Sequence, residues 1–375
     1  MIRLTIPTIE EDDLQAVRQV LNSGFLVQGP RVADFEQELA AYVGTKYAVA
    51  VSNCTSALHL ALLALDIHSG DMVIVTTYSW VATANVIELC GAQPVFVDVQ
   101  PDTFNMDPAK LDETMKRVMS NPETARRVKA ILPVHTFGQM ANMTAITKIS
   151  EQYGVPVIED AACALGAKWD ERQAGTWGLM GCFSFHPRKA ITTGEGGAIT
   201  TNDDQLARKL RALRNHGLDP ESASPEFIMP GFNYRMTEFQ AAMGSSQMKK
   251  LNRIIAARRR LAHHYDNLLG NNPVLVPIVP SQNLHVYQSY VTLLPEQATQ
   301  RRAEIIRQLK EKGVETNIGT WHMPLTTYFR TRYGYRVGDF PVSEIVFSRA
   351  LTLPLYETLQ LEDQEFVVEC LRKIV

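Results

Sequence analysis

Phe183-Ser184-Phe185-His186-Pro187-Arg188-Lys189-Ala190-Ile191-Thr192-Thr193-Gly194-Glu195-Gly196-Gly197 sets a lysine between an aromatic, hydroxyl-bearing turn and a glycine-rich loop. A helix interior would not tolerate those glycines, so Lys189 belongs to a loop rather than to a solvated helix face. Upstream, Val155 to Ile158 is an apolar run closed by Glu159-Asp160-Ala161-Ala162, which reads as a buried strand ending in an acid. A lysine amine that condenses with an aldehyde and a carboxylate that pairs with a protonated ring nitrogen are what a pyridoxal phosphate (PLP) site requires. The expectation is an α/β chain that carries PLP.

At 375 residues the chain exceeds the size at which one hydrophobic core keeps growing, which favours two domains. Hydrophobic residues at 45% and charged residues at 21% fit a soluble globular protein. A net charge of −3 argues for neither a nucleic acid nor an acidic membrane as partner. The basic clusters Arg126-Arg127-Val128-Lys129 and Arg258-Arg259-Arg260 are short and are expected to be solvated faces. The start, Met1 to Pro7, lacks a signal-peptide layout, and no apolar run approaches the roughly 20 residues of a spanning helix. Cys54, Cys90, Cys163, Cys182 and Cys370 have no metal-ligand spacing and fit small buried hydrophobes in a reducing compartment. A cytoplasmic location and no bound metal are expected.

From about residue 45 to 205, short β-branched runs alternate with helical stretches. Tyr47–Val51, Met72–Val75, Pro94–Val97, Ala130–Leu132 and Val155–Ile158 are the expected strands, and Ser56–Leu65 the first crossover helix. Near-continuous apolar strands joined by crossovers make a mostly parallel sheet covered on both faces. Ligands gather beyond the carboxyl ends of such strands, where Ser52, Tyr78, Asp98, His135 and Asp160 all fall. Beyond residue 235 the pattern changes: Arg235–Leu269 reads as helical, Gln288–Leu293 as a strand, with helices near Arg301–Lys312 and Glu362–Ile374. The boundary is placed near residue 245, giving a large domain over 1–245 and a smaller C-terminal α/β domain over 246–375.

Ser52-Asn53-Cys54-Thr55-Ser56 lies where a strand meets a helix. Thr55 and Ser56 either cap that helix or, with Ser184 near Lys189, join its N–H groups in holding a phosphate. Trp80 is a candidate to stack on the cofactor ring, or a core tryptophan. Asp160 would keep the ring nitrogen protonated; a charge pair near 4 Å is worth roughly 4 kcal/mol at an effective dielectric of 20. The alternative is an Asp that caps a helix. Glu159 faces the other side of the strand. Lys189 would bind the cofactor and, once free, shuttle a proton, which requires burial and neighbouring positive charge to lower its pKa, with Arg188 a possible contributor.

With these motifs together, the chain resembles the DegT/StrS-type nucleotide-sugar aminotransferases, which are fold-type I PLP-dependent enzymes. The resemblance runs from about Ile6 to the C-terminus. Ser23–Pro30 resembles the N-terminal loop, Phe35-Glu36 the next fixed feature, Ser52–Leu58 the phosphate turn and Tyr78–Ala84 the ring-stacking segment. Glu159–Ala162 and Phe183–Gly197 resemble the ring-nitrogen and lysine segments. Gly231–Met236 resembles a segment whose Asn reaches the neighbouring subunit's phosphate, so the resemblance assigns Asn233 to a site shared in a homodimer; otherwise Asn233 is a turn residue. Cys54 stands where the family commonly has Gly, Cys163 where a polar residue, often Gln, approaches the cofactor's phenolic oxygen, and Gln288 where His is frequent. A thiol is a weak donor there.

By this resemblance an amino group passes from L-glutamate, released as 2-oxoglutarate, to a nucleotide-linked keto sugar in a ping-pong reaction of polysaccharide or antigen biosynthesis. Lys189 sets the chain apart from the dehydrating branch, which has His in that place. The segments Ser184-Phe185-His186-Pro187 and Gly194–Gly197 look more like enzymes of 4-keto-6-deoxy sugars than of C3-keto sugars. A keto-cyclitol acceptor, or a PLP-bound regulator without activity, are the alternatives. His322 and Tyr328, on loops expected to read the sugar, are sugar contacts or plain loop packing. A nucleotide hydrolase is disfavoured because no Gly-x-x-x-x-Gly-Lys-Ser/Thr loop is present.

Overall fold

The structure is a computed structural model describing residues 1–270 and 272–375. Two amphipathic helices open the chain, α1 (Glu11–Ser23) and α2 (Pro30–Val43), followed by β1 (Tyr47–Val51) and α3 (Cys54–Ala64). Then come β2 (Met72–Thr76), α4 (Ala82–Leu89), β3 (Gln93–Val97), α5 (Pro108–Met119), β4 (Val128–Leu132), α6 (Met143–Tyr153), β5 (Ile158–Asp160), β6 (Met180–Ser184), β7 (Gly197–Thr201) and α7 (Asp204–Arg214).

Strands β3, β2 and β4 form one parallel group, and β5, β6, β7 and β1 a second group of mixed direction. Parallel bridges from Ile131 to Val157 and from Val134 to Asp160 join them into one sheet. Within it β7 runs against both neighbours, β1 and β6. Alternate residues of a strand point to opposite faces, and both faces are buried. Ala48, Ala50, Met72 and Ile74 enter one core, under α2, α5 and α6. Val49, Val51, Val73 and Val75 enter the other, under α3, α4 and α7. The expected mostly parallel, doubly covered sheet is what the chain forms. One strand differs: Val155 and Pro156 precede the ladder, which begins at Ile158. Pro156 has no N–H to donate, so its carbonyl alone joins the sheet, accepting from Ile131 N at 2.9 Å.

The helical stretch after residue 235 is two helices, α8 (Glu238–Met248) and α9 (Leu251–Leu269). Lys250 marks the break, with its ammonium buried against Asp12 and, at 2.7 Å, Asp13 of α1. The first turns of α9 contribute Leu251, Ile254 and Ile255 to the core under the large sheet. From Leu261 onward the same helix packs in a third core with α10 (Arg302–Glu311) and α11 (Leu361–Ile374). Here β8 (Tyr290–Leu293) pairs antiparallel with β9 (Ala350–Leu353). We propose the division of the chain into 1–245 and 246–375 on this change of core. Arg258 departs from the solvated face expected of it: it is buried, and its guanidinium donates to the carbonyls of Tyr287, Gln288 and Leu355. No described helix is long and apolar enough to cross a membrane.

Candidate active site

The turn between β1 and α3 is built first by backbone demand. Asn53 caps α3, its Oδ1 accepting from Ser56 N at 2.8 Å, so the cap is neither Thr55 nor Ser56. Ser56 is buried with its hydroxyl 3.1 Å from Ser52 Oγ, while Thr55 is exposed. Hydroxyls and the N–H groups left unpaired at a helix start are the kind of donors that can receive an anion. Gly197, the first residue of β7, lies against it: a Cβ there would sit 2.4 Å from the Asn53 carbonyl carbon. Ser184 is opposite Gly197 in the β6–β7 ladder, which brings that hydroxyl-bearing residue to the same turn. Tyr234 O accepts from Ser52 N at 2.8 Å, so the segment holding Asn233 runs along the turn as well. Asn233 is exposed and its Oδ1 accepts from Arg235 Nε at 3.0 Å.

Asp160 ends β5 and is buried. Its Oδ2 accepts from Thr83 Oγ1 at 2.8 Å and its Oδ1 from Ala162 N at 3.1 Å. Thr83 lies on the first turn of α4, with Ser79 Oγ 3.0 Å away. Thr83 was legible only as part of the Tyr78–Ala84 segment; nothing in its sequence context marks it as the donor to Asp160. Burial raises the Asp160 pKa, against the lowering effects of Thr83, Ala162 N–H and the Lys189 charge. Trp80, just before α4, is 62% exposed and is therefore not a core tryptophan of this chain.

Lys189 is held in a hydrogen-bonded loop. Its N–H donates to His186 O at 2.8 Å, Thr192 Oγ1 donates to Phe185 O at 3.0 Å, and Gln288 Nε2 donates to Arg188 O at 2.9 Å. The ammonium donates to Cys163 Sγ at 3.0 Å. Burial pulls the Lys189 pKa down, but Cys163, Cys54 and Asp160 outweigh it and the amine lies above its ordinary value. The expected lowering by positive neighbours does not occur, because Arg188 turns to solvent and the groups facing Nζ favour its charge. Cys163 is likewise half-buried and in a polar contact rather than a small hydrophobe.

Three residues expected on the rim have other work. Tyr78 is wholly buried and its hydroxyl accepts from Thr320 N at 3.1 Å. Asp98 accepts from the N–H groups of Val342 and Ser343, at the start of the helix Pro341–Arg349. His135 is buried against Glu159: Ala141 N donates to Nδ1 at 3.2 Å, which leaves Nε2 to donate to Glu159 Oε2 at 2.8 Å. Glu159 also accepts from the N–H groups of Gly175, Trp177 and Gly178, on the side away from the cofactor residues, as strand alternation requires. His322 is buried with Nδ1 2.9 Å from Ser343 Oγ, and the Tyr328 hydroxyl donates to Glu88 at 2.9 Å. Glu238 is buried and accepts from Gly29, Arg31 and Val32 N–H, capping the start of α2.

The residues suit PLP. Among the described residues, two donate to the buried Asp160 carboxylate, which leaves acceptor capacity for a ring N–H. Lys189 offers an amine on the same rim, and the β1–α3 turn an anion site. Such a combination suits a PLP-dependent enzyme. The family model of the DegT/DnrJ/EryC1/StrS aminotransferases matches residues 7–372, and the chain belongs to that family. It is 37% identical to the spore coat polysaccharide biosynthesis protein SpsC of Bacillus subtilis, the alignment covering 99% of this chain and 96% of that one. It is 36% identical to the GDP-perosamine synthase of Caulobacter vibrioides, covering 100% and 98%. The PLP form of the sugar aminotransferase Spr1654 from Streptococcus pneumoniae superposes with a TM-score of 0.92 at 25% identity, covering 100% and 98%. The protein is a PLP-dependent sugar aminotransferase of fold-type I.

Proposed function

We propose that this enzyme moves the amino group of L-glutamate to a nucleotide-linked 4-keto-6-deoxy sugar in a ping-pong reaction, 2-oxoglutarate leaving before the sugar binds. The observation that carries the reading is the Lys189–Asp160 rim, in a chain alike over its whole length to a GDP-perosamine synthase. PLP, when bound, supplies an aldehyde for the amino group and a ring that accepts electrons from the substrate carbon. The protein supplies the rest. Asp160 pairs with the ring nitrogen, and Ser56, Thr55 and Ser184 hold the phosphate with the N–H groups of α3. Trp80 offers its open indole face to the ring. Lys189 Nζ gives and takes the proton on the substrate carbon in both halves. Cys163 borders the amine.

Asn233 is proposed to reach the phosphate of a second copy, making the active unit a homodimer with shared sites. The loops around 25–30, 218–230 and 320–333 are proposed to read the nucleotide sugar, and the cytoplasm is the proposed location. The test begins with the visible spectrum of the purified enzyme. L-Glutamate should abolish the yellow band of the lysine-bound cofactor, and a nucleotide-linked 4-keto-6-deoxy sugar should restore it. Restoration only by a C3-keto sugar or a keto-cyclitol would replace the acceptor. A band unchanged by any amino donor would overturn transamination.

A further inference from the structure

Cys163 follows β5 by three residues and its sulfur stands 3.0 Å from Lys189 Nζ, across 26 residues of chain. The groups that face the amine come from three places: Cys163 and Asp160 from β5 and the turn after it, and Cys54 from the start of α3. On its own loop, His186 is near enough to feel the lysine charge, and Arg188 is exposed. A sulfur is a poor hydrogen-bond partner for a neutral amine. A contact of this length in a half-buried place therefore has value chiefly when the nitrogen is charged and the sulfur faces it.

We propose that Cys163 is a positioning residue for Lys189: its sulfur holds the free amine on the cofactor side of β5, so that residue 163 sets the pH range in which the lysine reacts. The inference rests on the proposed role of Lys189 as the cofactor-binding amine. It concerns the part of the cycle in which that amine is free, as it also is before the cofactor is captured.

The experiment uses the cofactor-free enzyme. PLP is added from about pH 6 to pH 10, a range spanning ordinary thiol and amine behaviour. Capture is followed by absorbance, and borohydride reduction with peptide mass mapping fixes the bond at Lys189. A parallel series measures arylation of Lys189 by trinitrobenzenesulfonate, which does not need the shape of the cofactor site. Cys163→Gln, whose amide oxygen accepts from the ammonium, should keep both midpoints near wild type, whereas in Cys163→Ala both should move to lower pH. Capture near neutral pH should rise up to about tenfold, the equivalent of one charge-assisted hydrogen bond lost by the ammonium. Cys163→Ala midpoints that coincide with wild type with both reagents would overturn the role of Cys163. Failure of the wild type to capture PLP at Lys189 would instead remove the cofactor reading itself.

Discussion

Thr83→Val removes one partner of Asp160, the proposed ring-binding acid. Valine keeps the shape of threonine and removes the hydroxyl that donates to Asp160 Oδ2 at 2.8 Å, in a place only 1% exposed. Water has no easy route to replace it. A hydrogen bond to a charged group is worth about 1.5–3 kcal/mol, and each 1.4 kcal/mol is about a factor of ten. The ionised carboxylate is what the protonated ring nitrogen requires, so PLP affinity should fall by roughly ten- to hundredfold. Burial already raises the Asp160 pKa and Thr83 opposes that rise. Without Thr83 the acid stays protonated to higher pH, and the acid limb of kcat/KM should move upward. Absorbance titration of the cofactor-free variant gives the affinity, and a pH profile of turnover gives the limb. Thr83→Ser, which restores the hydroxyl, should recover both. A Val variant that binds PLP within about twofold of wild type, with a superimposable acid limb, would refute the assignment of Thr83 as the donor that keeps Asp160 ionised.

Lys189→Ala should leave no borohydride-fixed PLP and slow turnover by at least the roughly 10²–10⁴-fold of a lost general base; turnover at the wild-type rate would end its role. Gly197→Ala drives a Cβ to 2.4 Å from Asn53 C and 2.6 Å from Cys54 N. The turn must shift, so stability should fall by about 1–3 kcal/mol and PLP binding should weaken, read by thermal melts and absorbance titration. Burial depresses His285 to about 3 and His322 to about 4. The unfolded chain therefore binds protons first as pH falls below about 6.5, and each histidine should cost about 2 kcal/mol of stability by pH 5. Melting temperatures of wild type and His285→Phe, compared between pH 7 and pH 5, should converge on acidification if the charging of His285 is the cause.

The fold was legible because a doubly covered parallel sheet needs strands that are apolar on both faces, and such runs stand out between helical stretches. Tyr47–Val51 was read to the residue. The fifth strand was misplaced toward its N-terminus because Val155 and Val157 are apolar and buried without both joining the ladder. Burial is written in composition, but pairing depends on which N–H groups exist, and Pro156 lacks one. The break between α8 and α9 was hidden for a similar reason. Its cause, the ion pairs of Lys250 with Asp12 and Asp13, lies more than 230 residues away in sequence.

The site shows the same division between local pattern and distant contact. Strand alternation alone separates the two acids of Glu159-Asp160, and the structure gives them opposite work on opposite faces. Glu159 is saturated: three backbone N–H groups and His135 fill its oxygens, so it braces the loop before β6 and has nothing left for a ligand. Asp160 has two donors and a raised pKa, which is the condition of a carboxylate short of a cation. Lys189 does not fill that gap, because its ammonium donates to Cys163. Neither the shortfall at Asp160 nor the Cys163 contact could be read from neighbouring residues, since both are set by segments brought together only by the sheet. A buried carboxylate with acceptor capacity left, near an amine whose bond goes to a sulfur instead, is the arrangement that supports the proposed pairing of Asp160 with a cationic ring.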